Sequence, residues 1–147
     1  MSKQMWMVNP KILCKKHLLK EHDDIHFFVN EIARGISLHN YVYNNKLEMQ
    51  SLRNRHEEIT REMASRAMEH ATPLPVLSWS CVEEVFEDIY YKRINARDSF
   101  KELLKTCKTC RRRADQLMEV YDMKKTKQTT LDDFGLQMVK KKEKKKE

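Results

Sequence analysis

Between Pro10 and Arg34 the apolar residues Leu13, Leu18, Ile25, Phe28, Val29 and Ile32 return mostly at three- and four-residue steps, the spacing that lines one face of an α-helix. Asn9 offers an N-cap, Pro10 suits the first helical position, and Arg34-Gly35 supplies a basic last turn and a left-handed stop. One long core-facing helix is therefore expected, and titratable groups crowd onto it. His17 and Glu21 share a face, as do His22 and His26, and Asp24 lies one turn beyond Glu21. The remaining composition agrees with helices packed on helices: two glycines and three prolines leave little turn material, and 35% of residues are charged against 40% hydrophobic. The expected fold is all-α, a compact single domain of three main helices with a disordered basic C-terminal tail.

Past Gly35, residues Ile36 to Gln50 read as a polar, aromatic connection. A second helix is expected over Ser51 to His70, with Leu52, Ile59, Met63, Ala67 and Met68 on its buried stripe and Arg53, Arg55, Arg61 and Arg66 turned to solvent or phosphate. Thr72-Pro73-Leu74-Pro75 is a rigid break. A third helical region starts near Ser80, breaks around Arg93 to Asn95, and resumes through Phe100, Leu103, Leu117 and Tyr121. The division expected is a helical domain over 1–123 and a tail over 124–147.

Of the net charge of +7 on 147 residues, the last eight, with six lysines and two glutamates, carry +4. Such a run is ordinarily solvated; the other readings are attraction to nucleic acid or a nuclear-import signal. No apolar run approaches the ~18 residues of a membrane span, and the N-terminus lacks the apolar stretch of a secretory signal. A soluble, intracellular monomer is expected, nuclear if the host is eukaryotic. The four cysteines at 14, 81, 107 and 110 then read as thiols or metal ligands rather than disulfides. Cys107 and Cys110 have the spacing of half a zinc knuckle, but no second half follows them and Cys14 with a histidine could complete a site only by a tertiary accident, so neither a metal nor any other cofactor is assigned.

The run His17-Leu18-Leu19-Lys20-Glu21-His22-Asp23-Asp24 resembles the H-L-[LM]-x-E-x-x-[ED] motif of the phage endonuclease V-type pyrimidine-dimer DNA glycosylases. Lys46-Leu47-Glu48, then Leu52-Arg53-Asn54-Arg55 with Glu58, Glu62 and Arg66, is similar to that family's second helix. Ala96-Arg97 with Lys101 is similar to its A-R-x3-K segment. The resemblance implies a helical bundle that binds duplex DNA carrying an ultraviolet-induced pyrimidine dimer, cuts one glycosidic bond and nicks the abasic strand by β-elimination. It also implies the roles. The nucleophile is the α-amine exposed when Met1 is removed, here on Ser2; Asp24 takes the family's carboxylate position and His17 its histidine. Arg97, Lys101 and Lys3 fall on or near DNA-binding positions. Asp23 and Phe27 stand where the family has basic residues, and His22 and His26 are expected to compensate by facing the DNA.

Gln128, Leu131 and Phe134 resemble a sliding-clamp-binding peptide, with Leu131 and Phe134 as a two-prong plug on one tight turn and Gly135 in place of the second aromatic. Two other functions fit the same residues: a catalytically inactive DNA- or clamp-binding module, or a metal-dependent nuclease using His17, Glu21, His22 or His26 with the cysteines.

Overall fold

The computed structural model describes residues 2–69 and 73–127, with side chains as far as 120. The described residues are helical and contain no strand: α1 (Lys15–Ala33), α2 (His39–Tyr43), α3 (Leu52–Ser65), α4 (Trp79–Val85), α5 (Ala96–Thr106) and α6 (Lys108–Lys127), with 3₁₀ turns at Pro10–Ile12 and Met49–Ser51. The chain divides into two compact units, 1–113 and 114–147. No described helix is long and apolar enough to cross a membrane.

The expected all-α class holds, but the first helix starts later than its periodicity indicates. Asn9 does cap, with its side chain accepting from Lys11 N–H, yet it caps only the 3₁₀ turn. The chain then extends through Leu13 and Cys14, and α1 starts afresh with the Cys14 sulfur accepting from His17 N–H. Gly35 ends α1 as expected: at φ 76° its N–H reaches Ile32 carbonyl while Ile36 N–H reaches Glu31 carbonyl, satisfying two terminal acceptors.

Asn45 (φ 63°) and Ala67 (φ 58°) close α2 and α3 with the same paired bonds. For α3 this is a correction, since the expected helix ran on to His70. Arg66 bonds Glu62 and the Pro10 carbonyl and fixes the end of the helix there, and alanine accepts a conformation that costs on the order of 1 kcal/mol. The third helical region is three helices: Asn95 caps α5 through Asp98 N–H, and extended backbone at Cys107 (φ −130°, ψ 109°) separates α5 from α6.

Within the 1–113 unit the core lies between α1 and α3. Leu18, Ile25, Phe28 and Val29 meet Leu52, Ile59 and Met63, and Met5, Leu13, Leu38, Leu47 and Met49 close the ends, all fully buried or nearly so. Burying side chains of this size contributes about 1.5–3 kcal/mol each. Arg55, expected on the surface, is 2% exposed and forms a two-pronged pair with buried Glu21 at 2.6 and 3.0 Å. Its Nη1 donates to the Val8 carbonyl at 2.7 Å and to Glu58 at 3.1 Å, tying α3, α1 and the N-terminal arm together. Burial works against the guanidinium charge, but Glu21 and Glu58 outweigh it and leave Arg55 more firmly protonated than usual.

Candidate active-site cleft

Residues 2–5 lie along the start of the loop after α2, with Met5 N–H bonded to Lys46 carbonyl at 2.8 Å and Lys46 Nζ reaching Ser2 Oγ at 3.1 Å. On its other side the arm lies over α1. Asp24 is 2% exposed beneath it and accepts from Gln4 N–H at 3.1 Å and from Lys20 Nζ at 2.6 Å. Lys20 Nζ also donates to Ser2 carbonyl at 2.9 Å, and Lys3 Nζ stands 3.8 Å from the other Asp24 oxygen and 4.9 Å from the Phe27 ring. One ammonium therefore holds both the carboxylate and the residue expected to supply the nucleophile.

In front of this arrangement lies a cleft of about 540 Å³, whose walls include Ser2, Gln4, Lys20, Lys46, His17 and Asp98. That volume is in the range of sites that enclose a drug-sized molecule or one nucleotide. Asn45 places the far wall: its side chain accepts from Asn95 N–H at 2.7 Å at the start of α5, which contributes Asp98, Ser99 and Glu102 to the lining.

The fold brings Ser2, Lys3 and Asp24 together; Ser2 and His17 line the cleft, while Asp24 and Lys3 lie outside its lining, Asp24 joined to it through Gln4 and Lys20. Arg97 and Lys101 are exposed on α5 outside the lining. His22 does not face outward as expected: it is 1% exposed and packs its ring 4.7 Å from His26 and 4.9 Å from His56. His26 is half-buried, its Nε2 3.2 Å from that of His56. Gln128, Leu131 and Phe134 lie outside the described residues.

His17 has a second set of neighbours. Its Nδ1 lies 3.2 Å from Cys14 Sγ and 3.6 Å from Cys110 Sγ, and Cys14 Sγ is 3.9 Å from Cys107 Sγ. Burial, reinforced by Lys16 and Lys20, holds the imidazole pKa below its ordinary value and favours the neutral ring. Burial pushes the Cys110 thiol up to about 12. At Cys107 burial acts in the same direction, but hydrogen bonds from the Cys110 and Thr109 N–H groups and from the neighbouring thiols outweigh it and bring the pKa below its ordinary value.

Sequence reasoning missed Lys20, although its four-residue spacing to Asp24 is the signature of an intrahelical ion pair. It also missed Lys46 and Gln4, which only the return of the arm onto α1 and the loop after α2 brings near. Of the residues named for a metal-dependent nuclease, Glu21 is committed to Arg55, while His17 stands with the cysteines and His22 with His26.

A helical fold that lays its N-terminal arm over a buried carboxylate has the parts of a DNA repair glycosylase. Residues 4–75 match the family model described as pyrimidine dimer DNA glycosylase, the family to which the α1 and α3 motifs point. The matched stretch holds the arm from Gln4, all of α1 and α3, and Asp24; α4, α5 and α6 lie beyond it. No curated protein and no solved structure matches the chain.

Proposed function

We propose that this protein excises pyrimidine dimers from ultraviolet-damaged duplex DNA and then nicks the abasic site through a Schiff base on the amine of Ser2, exposed when Met1 is removed. The observation that carries the reading is the double contact of Lys20, which holds Asp24 and the Ser2 carbonyl with one ammonium. An α-amine has a reference pKa of about 7.7–8.0 and so keeps a usable neutral fraction at physiological pH, whereas a lysine near 10.4 does not.

In this reading the neutral amine attacks C1′ of the damaged nucleotide, the glycosidic bond breaks, and its electrons leave with the base. Asp24 is the negative charge beside the developing sugar cation. Loss of the amine proton and ring opening give an imine. Its protonated form acidifies the 2′-hydrogen, and removal of that proton expels the 3′-phosphate by β-elimination. Moving a nucleotide out of the stack costs a few kcal/mol, and Lys3, Arg97 and Lys101 supply phosphate attraction toward it. His17 lines the cleft as a positioning residue.

Borohydride reduction during reaction with irradiated duplex tests this directly. The expected result is a covalent protein–DNA adduct together with strand nicking. Binding without adduct or nicking would leave the inactive DNA-binding module as the better reading.

For the tail, we propose that Gln128, Leu131 and Phe134 bind a sliding clamp, on the strength of their peptide pattern.

A further inference from the structure

We propose that Cys14, His17, Cys107 and Cys110 form a structural zinc site, independent of the glycosylase reading. Their four donor atoms lie within 4.8 Å of one another. A tetrahedral ion with Zn–S of about 2.3 Å and Zn–N of about 2.0–2.1 Å places two sulfurs about 3.8 Å apart and a sulfur about 3.6 Å from a nitrogen. The Cys14–Cys107 separation is 3.9 Å, and His17 Nδ1 lies 3.6 Å from Cys110 and 3.2 Å from Cys14. The Cys14 and Cys107 sulfurs are thus spaced as one edge of a coordination tetrahedron, well beyond the ~2.05 Å of a disulfide.

The two halves are built alike. Cys14 caps α1 with His17 in its first turn, and Cys107 stands at the break before α6 with Cys110 in the first turn after it. Each half is a Cys-x-x-ligand step across a helix start. Backbone N–H groups point at all three sulfurs: His17 N at Cys14 (3.5 Å), Cys14 N at Cys110 (3.2 Å) and Cys110 N at Cys107 (3.4 Å). Donors in this arrangement stabilise thiolate charge and hold ligands in place. Cys14, His17 and Cys110 are buried and Cys107 is half-buried, as befits a closed structural site rather than an open catalytic one. Three sulfurs and one imidazole in a tetrahedron select zinc over the harder divalent ions. Binding releases three thiol protons to water and leaves a site of charge −1, beside which Lys15, Lys16 and Lys108 line the surface.

Packed thiols acting as small hydrophobes would account for Cys14 and Cys110, but not for an imidazole nitrogen directed among three sulfurs. The site would clamp the start of α1, and with it the His17 wall of the cleft, to the junction of α5 and α6. Cys107 and Cys110 lie outside the residues that match the glycosylase family, so the clamp joins that stretch to the chain beyond it.

Metal analysis of the full-length protein, purified without chelator under reducing conditions, should find one zinc per chain. Cobalt(II) in its place should give the intense visible bands of a tetrahedral ion with thiolate-to-cobalt charge transfer. Cys107→Ser and Cys110→Ser should lower the zinc content well below one per chain, whereas Cys81→Ser, an exposed cysteine outside the cluster, should retain it. His17→Cys should keep the metal and intensify the charge-transfer band by adding a thiolate. A wild-type protein that lacks zinc and takes up cobalt without charge transfer would overturn the proposal. So would a Cys14–Cys107 disulfide in the protein as isolated. Should the serine variants fail to fold, the wild-type metal content and cobalt spectrum still decide.

Discussion

Glu21 and Asp24 sit one turn apart on α1, both almost fully hidden from solvent, and each holds a cation, yet the two pairs are covered differently. Glu21 grips Arg55 with both oxygens, the guanidinium is itself 2% exposed, and its Nη1 is engaged by the Val8 carbonyl and Glu58. Asp24 holds Lys20, whose side chain is 22% exposed and lines the cleft, and its cover is the N-terminal arm rather than a helix. A sealed pair contributes to the fold, because removing one partner strands a charge in the core. Under the proposed function, the pair roofed by the arm lies beside Ser2, and its charge serves the chemistry there. Burial alone does not separate the two; the identity of what covers them does.

The largest effect should come from breaking the sealed pair. Arg55→Met leaves Glu21 uncompensated and should cost about 3–5 kcal/mol in chemical denaturation, whereas Glu21→Gln combined with Arg55→Met should recover much of that loss. A single variant as stable as wild type would show that the pair does not hold the core.

Asp24→Asn should do the reverse. It keeps an acceptor for Gln4 N–H and leaves Lys20 free to turn to water, so stability should change by about 1 kcal/mol or less. Base excision should fall on the order of 10²-fold or more while binding to lesion DNA is nearly unchanged. Binding and cleavage falling together would place Asp24 with Glu21 among the structural carboxylates. Lys20→Met should fall between the two, with excision reduced about tenfold through loss of the ammonium's positioning of Ser2, roughly 1.4 kcal/mol in the barrier. An unchanged rate would remove Lys20 from the site.

The smallest effect on catalysis is expected at the far end of the chain. Truncation after Lys124 should leave excision on short duplexes largely unchanged at moderate salt and weaken non-specific binding at low salt, since phosphate attraction is insensitive to sequence and falls steeply with salt. Leu131→Ala with Phe134→Ala should remove clamp association alone, as read in a pull-down. Loss of excision in the truncated protein would mean that the tail serves the cleft.

How much of this could be read in advance depends on the range of the interaction. The α1 stripe, its glycine stop and the proline break at residues 73 and 75 are local and were legible, as was the run from His17 to Asp24. The second start of α1 at Cys14 was not, because periodicity continues across the two extended residues, Leu13 and Cys14, before the cysteine cap. The five-residue α2 was hidden for a related reason: it is too short to show a period. Arg55 looked like a surface arginine because nothing local marks the buried carboxylate, 34 positions away, that neutralises it. The cysteine cluster depends on the longest range of all. No second half follows the Cys107-Cys110 step, and nothing in the sequence marks that Cys14 and His17, 93 residues before it, fold against it.

The central claim, that the arm over Asp24 delivers the nucleophile, is tested most directly by locating the bond. Lys20 and Lys46 line the same cleft as Ser2 and are the alternative amines. Digestion and mass spectrometry of the borohydride-reduced adduct on abasic duplex should place the sugar remnant on the α-amine of Ser2, with Met1 absent, and an added N-terminal residue or acetyl group should abolish it. An adduct on Lys20 or Lys46, undiminished when the terminus is blocked, would contradict the account.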